Sequence, residues 1–333
     1  MIVVRAVTKN DIDSLMKLAE KVGIGVTTIV ADKKIFERKI TRSIECFKTE
    51  VDDGYYLFVF EMDGQIVGCA AIDVKPGMYN PFYTYKILDI HNIFEPYQVD
   101  HRYQVLQMVN DFDQASELCS LFLLPDYRNK MNGYLLSYSR LLYAAAFPKK
   151  FTDIFFAEIR GDSDQDGNSP FWEAIGKHFY GLDFIKADKL SGVGEKQFIQ
   201  ALKPGFPIYI DMLPKAAQDV IGKPHYLSAP AMKLLEKQGF YYHRYIDIFD
   251  GGPTISTEKN NIKTVNQAQY CHIVSIAPET RGIDYMIASV KNDFRVTLTK
   301  LSSVNDSALS IPQSVADILK IDVGDQVIIA PLF

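Results

Sequence analysis

One strand–loop–helix segment, residues 116–140, constrains this chain more than any other. It reads SELCSLFLLPDYRNKMNGYLLSYSR, an apolar strand-like run, a polar break at PDYRNKMNG and then a helical pattern. Such a connection presents backbone N–H groups at a helix N-terminus, where the helix dipole adds partial positive charge. Arg128 and Lys130 add full charges, and Gly133 lets the backbone approach a ligand closely. The segment therefore predicts an anion cradle suited to a diphosphate.

The strand before this loop leads to a second prediction. If Leu121 and Leu123 leave backbone groups unpaired at a splayed sheet edge, an extended chain that carries amides can pair with them. Pantetheine carries such amides, and coenzyme A joins pantetheine to a diphosphate, so the segment is interpreted as an acyl-CoA site. The predicted contacts are Leu121, Leu123, Arg128, Lys130, Asn132 and Gly133. The alternative is an ordinary turn in which Arg128 and Lys130 are solvated and Gly133 serves tight packing.

The first 184 residues alternate predicted strands and helices in the order β-α-α-β-β-β-β-α-β-α. Asp63-Gly64 between two β-rich runs predicts a hairpin, and Ser169 followed by Pro170 predicts the start of a helix. Residues 95–114 are interpreted as a polar interval and residues 192–205 as a loop or hinge. This pattern predicts an α/β (α+β) fold, a mixed sheet flanked by helices, with a β-rich C-terminal part.

Composition narrows the classes of function. The 333 residues carry a net charge of −5, which argues against a nucleic-acid-binding surface. No apolar run approaches the roughly 20 residues needed to cross a bilayer, and the N-terminus does not resemble a signal peptide, so a soluble cytoplasmic protein is expected. The four cysteines are far apart in sequence, which predicts reduced thiols and no metal site.

At this point the sequence resembles a known family. The strand and loop resemble the acyl-CoA-binding motif R/Q-x-x-G-x-G/A of the GCN5-related N-acetyltransferase superfamily, with Arg128 and Gly133 matching and Met131 at the first glycine. More specifically, the chain resembles the arginine N-succinyltransferase family, which includes paired arginine/ornithine succinyltransferase subunits. The segments that carry this resemblance are SELCSLFLLPDYR, NGYLLSYSR, SPFWEAIGKHF, AQDVIG, SAPAMKLLEKQGF and YIDIFDGGP.

The resemblance implies transfer of a succinyl group from succinyl-CoA to the α-amine of L-arginine, a step of arginine catabolism. It implies succinyl-CoA as co-substrate, no prosthetic group, and assembly as a homo- or hetero-oligomer. The family's succinyl-CoA contact falls on Leu121, and its proton donor falls on His225. It also implies three parts: an acyl-CoA N-acyltransferase-like core at 1–190, a continuation at 191–253 that completes the active site, and a small β-rich domain at 254–333.

The chemistry supports a histidine independently. A neutral amine must attack the thioester and a proton must reach the departing thiolate, so a group that titrates near neutral pH suits both ends. His225 follows Pro224 in a loop between two predicted helices, a position suited to function. A backbone N–H near Leu121 is the expected oxyanion donor. Tyr134 and Tyr138 are further candidate donors to the thiolate, although a core aromatic is the simpler interpretation of each.

Selectivity requires further charged groups. The succinyl carboxylate needs a cation, for which Arg140 and Arg160 are candidates, and the acceptor guanidinium needs a carboxylate. The candidate carboxylates are Glu158, Asp247 and Asp250. Two alternative functions stay open: an N-acyltransferase for ornithine or another amino acid, and a non-catalytic acyl-CoA-binding subunit of a hetero-oligomer.

Overall fold

The computed structural model describes residues 1–22, 29, 31–164, 167–277, 281–291, 293–301 and 307–332. Its strands are β1 (Ile2–Ala6), β2 (Tyr55–Met62), β3 (Gln65–Val74), β4 (Thr84–Phe94), β5 (Val99–Val109), β6 (Ser116–Leu123), β7 (Ile154–Glu158), β8 (Ile208–Tyr209), β9 (Tyr241–Asp247), β10 (Pro253–Glu258), β11 (Gln269–Ile276), β12 (Ile283–Ser289), β13 (Arg295–Leu301), β14 (Ala308–Ile311) and β15 (Gln326–Pro331).

The helices in the same part of the chain are α1 (Ile12–Ala19), α2 (Lys33–Lys48), α3 (Lys130–Ala146), α4 (Lys177–Tyr180), α5 (Phe184–Gly192), α6 (Gln197–Leu202), α7 (Lys215–Val220), α8 (Ala229–Glu236), α9 (Lys263–Gln267) and α10 (Gln313–Leu319). The strands form one mixed sheet in the order β14-β11-β15-β12-β13-β1-β2-β3-β6-β7-β10-β9-β4-β5-β8. Most neighbours are antiparallel, while β6–β7 and β11–β14 are parallel.

Helices cover both faces of the central strands because alternate side chains of a strand point to opposite faces. In β2, Tyr56 and Phe58 pack with α3 residues in one hydrophobic cluster. Leu57 and Val59, on the other face, pack with residues of α1 and α2 in a second cluster. The predicted fold class, a mixed sheet flanked by helices, is confirmed.

The β-rich C-terminal part is confirmed as well, and it continues the same sheet. Its strands β11 to β15 join the core where β13 pairs with β1, with Val296 opposite Val4. β10 pairs with β7 and β9 of the core, although the predicted division at residue 254 falls at its start. A domain boundary at residue 254 would therefore separate β10 from the two core strands, β7 and β9, to which it is hydrogen-bonded.

The Asp63-Gly64 hairpin is confirmed, but the polar interval at 95–114 is wrong. Asp63 and Gly64 both have positive φ, 49° and 80°, and connect β2 to β3. The supposed interval contains β5, which pairs with β4 along its whole length. The outer half of this hairpin is exposed and mixes polar with apolar residues, with His91 bonded to Asp100 across the strands, so it lacks the regular alternation that marks a half-buried strand.

The prediction of a loop at 192–205 is also wrong in part, because α6 lies within it. The helix predicted at Ser169-Pro170 does begin there, with the Trp172 amide donating to the Ser169 hydroxyl at 3.4 Å. It then widens to a π-turn at Trp172–Gly176 before α4.

Among the described residues, no helix combines the length and apolarity that crossing a bilayer requires.

Candidate active site

The two parallel strands β6 and β7 separate after a short stretch of pairing. They pair only at Ser116–Phe155 and Glu117–Phe156, within the described residues. Just beyond this point β6 contains a bulge, since Ser120 and Leu121 stand opposite the single residue Ala70 of β3. Ser120 adopts a left-handed φ of 54° there. A bulge bends a strand, which accounts for the separation of β6 from β7.

A cavity of about 200 Å³ fills the space between the separated strands. Glu117, Cys119, Ser120 and Leu121 line it from β6, and Glu158 lines it from β7. The segments after β7 and β9, and residues near α5 and α6, supply its other walls. The site therefore depends on strands and loops from distant parts of the sequence.

Leu121 and Leu123 lie beyond the point where β6 separates from β7, as the predicted splayed edge requires. Leu121 lines the cavity, and Leu123 lies farther along β6, opposite Gly68 of β3. The Leu123 carbonyl accepts a hydrogen bond from Arg128 Nε at 2.9 Å. Arg128 is exposed and its guanidinium lies 5.7 Å from the centre of the Phe122 ring. The arginine is thus held beside the strand end from which the loop leaves.

The predicted anion cradle lies at the start of α3, where Asn129 is the N-cap. The Asn129 side-chain oxygen accepts from the Asn132 amide at 2.9 Å, and its carbonyl accepts from the Gly133 amide at 3.0 Å. Asn132 is 4% exposed, and its side chain donates to the Tyr127 carbonyl at 2.9 Å. Asn132 therefore holds the loop in shape from beneath.

Gly133 and Met131, which occupy the two glycine positions of the motif, face different sides of the helix start. A Cβ added at Gly133 would meet only Leu234 Cδ1, at 3.7 Å, so packing within the protein does not require a glycine there. The Met131 side chain packs against the hydrophobic core, away from solvent. Methionine in place of glycine at position 131 therefore does not occupy the outer side of the helix start, where Lys130 is exposed.

His225 lies beside the cavity and is 7% exposed. Its amide donates to the Arg160 carbonyl at 2.8 Å, and its Nδ1 accepts from the Leu227 amide at 3.2 Å. Arg160 and Ser228, two of its backbone partners, line the cavity, whereas His225 itself is outside the lining. Burial and the neighbouring charge of Arg160 lower the pKa of His225 below 6.5. The imidazole is therefore neutral at pH 7, with the proton on Nε2.

The DGGP turn supports this histidine. Asp250 accepts from the Gly161 amide at 2.8 Å and from the Gly252 amide at 2.9 Å, which ties the end of β7 to the turn between β9 and β10. A Cβ at Gly252 would lie 2.1 Å from the Ile159 carbonyl, so only glycine fits. The Gly251 carbonyl accepts from the Gly222 amide at 2.8 Å and so anchors the segment that leads to His225.

The two candidate arginines occupy different places. Arg140 is 1% exposed and donates to the carbonyls of Ala71 and Cys119, both at 3.3 Å, and it is absent from the cavity lining. Burial lowers the pKa of Arg140 to about 10, which still leaves it charged at neutral pH. Arg160 does line the cavity and donates to the Ser163 hydroxyl at 2.6 Å. Only Arg160 is therefore placed to contact a substrate carboxylate.

The three candidate carboxylates all line the cavity, together with Glu117, which the sequence analysis missed. Burial and the charge of Asp73 raise the pKa of Glu117 to about 7. Burial and the charge of Asp247 raise the pKa of Glu158 well above its usual value. Glu117 is an acid inside an otherwise apolar strand, a signal that could have identified it.

Lys196 is the second residue that sequence reasoning missed, because it lies in the segment interpreted as a loop. Its ammonium lies 5.3 Å from the centre of the Phe82 ring. It lines the first cavity and a second one, of about 310 Å³, and the two cavities share Glu117, Cys119, Ser191 and Lys196. The second cavity also has a basic wall, formed by Arg38, Lys39 and Arg42.

The candidate tyrosines are core residues. Tyr138 donates from its hydroxyl to the Leu234 carbonyl at 2.9 Å, and the Tyr134 hydroxyl accepts from Lys237 at 2.5 Å.

Cys119 lines the cavity, but burial and the charge of Glu117 raise the pKa of its thiol well above the usual value. A thiol that stays protonated is a poor nucleophile. In the ranges that the structure describes, no cluster of His, Cys, Asp and Glu is arranged to hold a metal ion.

Comparison with known proteins is consistent over the full length. A family model described as arginine N-succinyltransferase beta subunit matches residues 2–264, and the model of its C-terminal domain matches 271–331. The chain is 38% identical to the arginine N-succinyltransferases of Shigella dysenteriae and Escherichia coli K12, covering 98% of this chain and 96% of each relative.

A solved structure is similar over the same extent. The arginine/ornithine succinyltransferase subunit AI from Pseudomonas aeruginosa superposes with a TM-score of 0.91 at 30% identity, covering 100% of this chain and 99% of that chain. The family models, the curated relatives and this structure agree with the resemblance carried by the strand–loop–helix segment. The chain belongs to the arginine N-succinyltransferase family, and it is an acyltransferase.

Proposed function

We propose that the chain transfers the succinyl group of succinyl-CoA to the α-amine of L-arginine, as a step of arginine catabolism. One observation carries this proposal: the cavity between β6 and β7 joins a strand edge beside the start of α3 to a wall of carboxylates. The strand edge suits an acyl-CoA, and the carboxylates suit a cationic amino acid. The names of the full-length relatives fit the same pair of substrates.

In this proposal coenzyme A lies along β6 and across the start of α3. Its pantetheine amides pair with the backbone at Leu121 and Leu123, and its diphosphate lies at the helix N-terminus near Arg128 and Lys130. Gly133 leaves room for the diphosphate, since the protein itself does not fill the space of a Cβ there. Asn132 contributes by fixing the loop through Tyr127.

The chemistry is a direct attack without a covalent enzyme intermediate. The neutral α-amine adds to the thioester carbonyl, and a backbone N–H near Leu121 stabilises the oxyanion. Collapse of the tetrahedral intermediate breaks the C–S bond, the nitrogen loses a proton, and the thiolate gains one. His225, whose Nδ1 is held by the Leu227 amide, donates its Nε2 proton to the thiolate and takes up the proton that the nitrogen loses, so the imidazole is neutral before and after the step.

The proposal includes a cytoplasmic location, where coenzyme A thioesters are made and used, and assembly as a homo- or hetero-oligomer. The structural relative is named as a subunit, which supports an assembly. Sedimentation or light scattering of the purified chain measures the oligomer directly. A strictly monomeric protein would contradict this part of the proposal.

Release of coenzyme A tests the function. Purified protein is assayed with succinyl-CoA and acetyl-CoA, each crossed against arginine and ornithine. Release confined to succinyl-CoA with arginine is the expected result. Ornithine is the second candidate acceptor because the structural relative is named for both amino acids. Binding of succinyl-CoA without release with either amine would instead support a non-catalytic subunit.

A further inference from the structure

We propose that Glu117, Glu158 and Asp247 form the pocket that binds the cationic side chain of the acceptor, with the Ser120 hydroxyl as its neutral polar contact. This inference rests on the proposed function, whose acceptor is arginine, and it assigns the residues that select that acceptor.

The three carboxylates converge because of how three strands end. Glu117 belongs to the last pair that joins β6 to β7, so its neighbour on the far side is cavity. Glu158 is the last residue of β7, and Asp247 is the last residue of β9. Both strands are fixed by β10, which pairs with Glu158 at Thr254 and with β9 at Pro253. The pocket is therefore rigid on its acidic side.

These carboxylates lack a cationic partner, although Glu158 and Asp247 hydrogen-bond to each other. Among the described residues, no lysine or arginine lies within ion-pair distance of any of the three. Burial and the charge of Asp73 raise the pKa of Glu117. Lys196 lines the same cavity, and its charge offsets only part of that rise. Buried negative charge without a partner is costly, and a bound cation removes that cost.

Ser120 is an independent sign of a ligand. Its side chain is 5% exposed and lines the same cavity, and its hydroxyl makes no hydrogen bond of normal geometry within the described residues, although Tyr55 and the Cys119 thiol lie near it. Buried hydroxyls in proteins are normally hydrogen-bonded. The residue also holds a left-handed φ of 54°, which is uncommon for a residue with a side chain and occurs at functional sites. A ligand with N–H donors satisfies this hydroxyl and the carboxylates together.

Asp250 is excluded from the pocket although it lines the cavity. Each of its two oxygens already accepts an amide, from Gly161 and from Gly252. Asp247 uses Oδ1 for the amides of Phe249 and Asp250, at 2.5 and 3.2 Å, and its side chain also hydrogen-bonds to that of Glu158. Asp250 is therefore structural, whereas Asp247 and Glu158 form a hydrogen-bonded pair of carboxyls that lines the cavity.

The charged residues of the two cavities also complement both charged groups of the acceptor, its cationic side chain and its carboxylate. The acidic wall lies in the first cavity, and the basic wall with Arg38, Lys39 and Arg42 lies in the second, where Asp73 pairs with Arg42 at 3.6 Å. Because the cavities share lining residues, an amino acid with a cationic side chain and a carboxylate is complementary to both walls. Guanidinium fits the acidic wall best, since it stays protonated and presents its donors in a planar fork.

The test compares arginine with citrulline, which has the same length and an uncharged ureido group in place of guanidinium. Values of kcat/KM for both acceptors are measured in the wild type, Glu158→Gln, Glu117→Gln and the control Glu173→Gln. Glu173 is exposed on the helix surface and pairs with Lys177. Calorimetry of arginine and citrulline binding to the same four proteins gives a readout that does not require turnover.

We expect the wild type to prefer arginine by about 100-fold or more. Glu158→Gln and Glu117→Gln should each lower kcat/KM for arginine about 10- to 100-fold, the range for a lost hydrogen bond to a charged group. The value for citrulline should change by less than about threefold, and Glu173→Gln should change neither.

Equal losses for the two acceptors in Glu158→Gln and Glu117→Gln would overturn the pocket, because a general structural defect affects both substrates alike. A wild type that uses citrulline as well as arginine would overturn it too, while the proposed transferase activity stands. Arginine binding that Glu158→Gln abolishes, in a protein that never releases coenzyme A, would support the pocket and overturn the transferase proposal. Absence of any arginine binding by calorimetry would overturn the pocket.

Discussion

The start of α3 and the cavity between β6 and β7, the two regions of the proposed site, carry opposite charges in different surroundings. At the helix, Arg128 and Lys130 are exposed, and they lie within three residues of one another beside backbone amides. In the cavity, Glu117, Glu158 and Asp247 come from three strands and are partly buried, and burial raises the pKa of all three. The helix end is built mainly from local backbone geometry, and the cavity is built from side chains that only the fold brings together.

The difference in solvent access has an energetic consequence. Exposed charges are screened by water and salt, so each contributes modestly, whereas buried charges interact strongly and carry large desolvation costs. We therefore expect the coenzyme end of the site to be sensitive to salt and tolerant of substitution. The acceptor end should be insensitive to salt and selective.

The largest effect on activity should come from His225, which is proposed to act where the acyl donor meets the acceptor. If one reaction joins the two regions, His225→Ala should lower kcat about 100- to 10,000-fold, the usual range for general acid–base catalysis, with little change in either KM. Steady-state kinetics measure this, with His243→Ala as the control, since His243 is exposed on β9. Near-normal turnover by His225→Ala would remove the histidine from the mechanism.

A second prediction separates the two regions by salt. Arg128→Ala should raise KM for succinyl-CoA about tenfold, the loss expected for a charge-assisted hydrogen bond. In the wild type, KM for succinyl-CoA should rise between low and high salt, while KM for arginine changes less.

The control for this measurement is Arg102→Ala, which changes an exposed arginine on the β4–β5 hairpin. If the two KM values respond equally to salt, the contrast between an exposed and a buried end of the site is wrong.

A third prediction concerns the glycine at the helix start. Gly133→Ala should stabilise the fold by about 0.5–1 kcal/mol, because alanine is the better helix former and its Cβ would meet only Leu234. The same change should raise KM for succinyl-CoA several-fold, because the Cβ enters the proposed diphosphate site. Thermal unfolding and kinetics measure the two effects, and a stabilised variant with unchanged KM would favour a purely structural glycine.

The smallest expected effect is a shift in the pKa of His225. Burial and Arg160 lower the pKa of this histidine, whereas Asp162 acts to raise it. Arg160→Met should therefore raise the pKa of His225 toward 6.5, and Asp162→Asn should lower it further. NMR titration of the imidazole protons, assigned by comparison with His225→Gln, measures both shifts. Shifts in the same direction in the two variants would contradict this account of the charges around His225.

The sequence predicted elements where the local pattern matched the tertiary environment. Asp63-Gly64 forms a hairpin because its conformational preference is local, and Asn129 to Gly133 form a helix start for the same reason. The strand β5 was missed because its outer half is exposed on both faces and carries no apolar alternation. Helix α6 was missed because the glycines around residue 192 indicated a loop.

The site divides in the same way. Arg128, Lys130 and Gly133 were proposed together because they lie within one continuous segment. Arg140 and Arg160 were equal candidates in sequence, and only the structure shows that Arg140 is bonded to strand carbonyls beneath the sheet. Glu117 and Lys196 were missed because neither is near another acid or base of the site in the chain.

By itself the sequence determined the family, the mixed sheet, and the helix that begins after Asn129, since these depend on residues that interact with their neighbours along the chain. The tertiary structure alone decided where β6 and β7 separate, which carboxylates meet, and which oxygens of Asp247 and Asp250 are already occupied. The physical reason is distance along the chain. Burial and electrostatic interaction depend on proximity in space, and here that proximity is set by strands from three separate regions of the sequence.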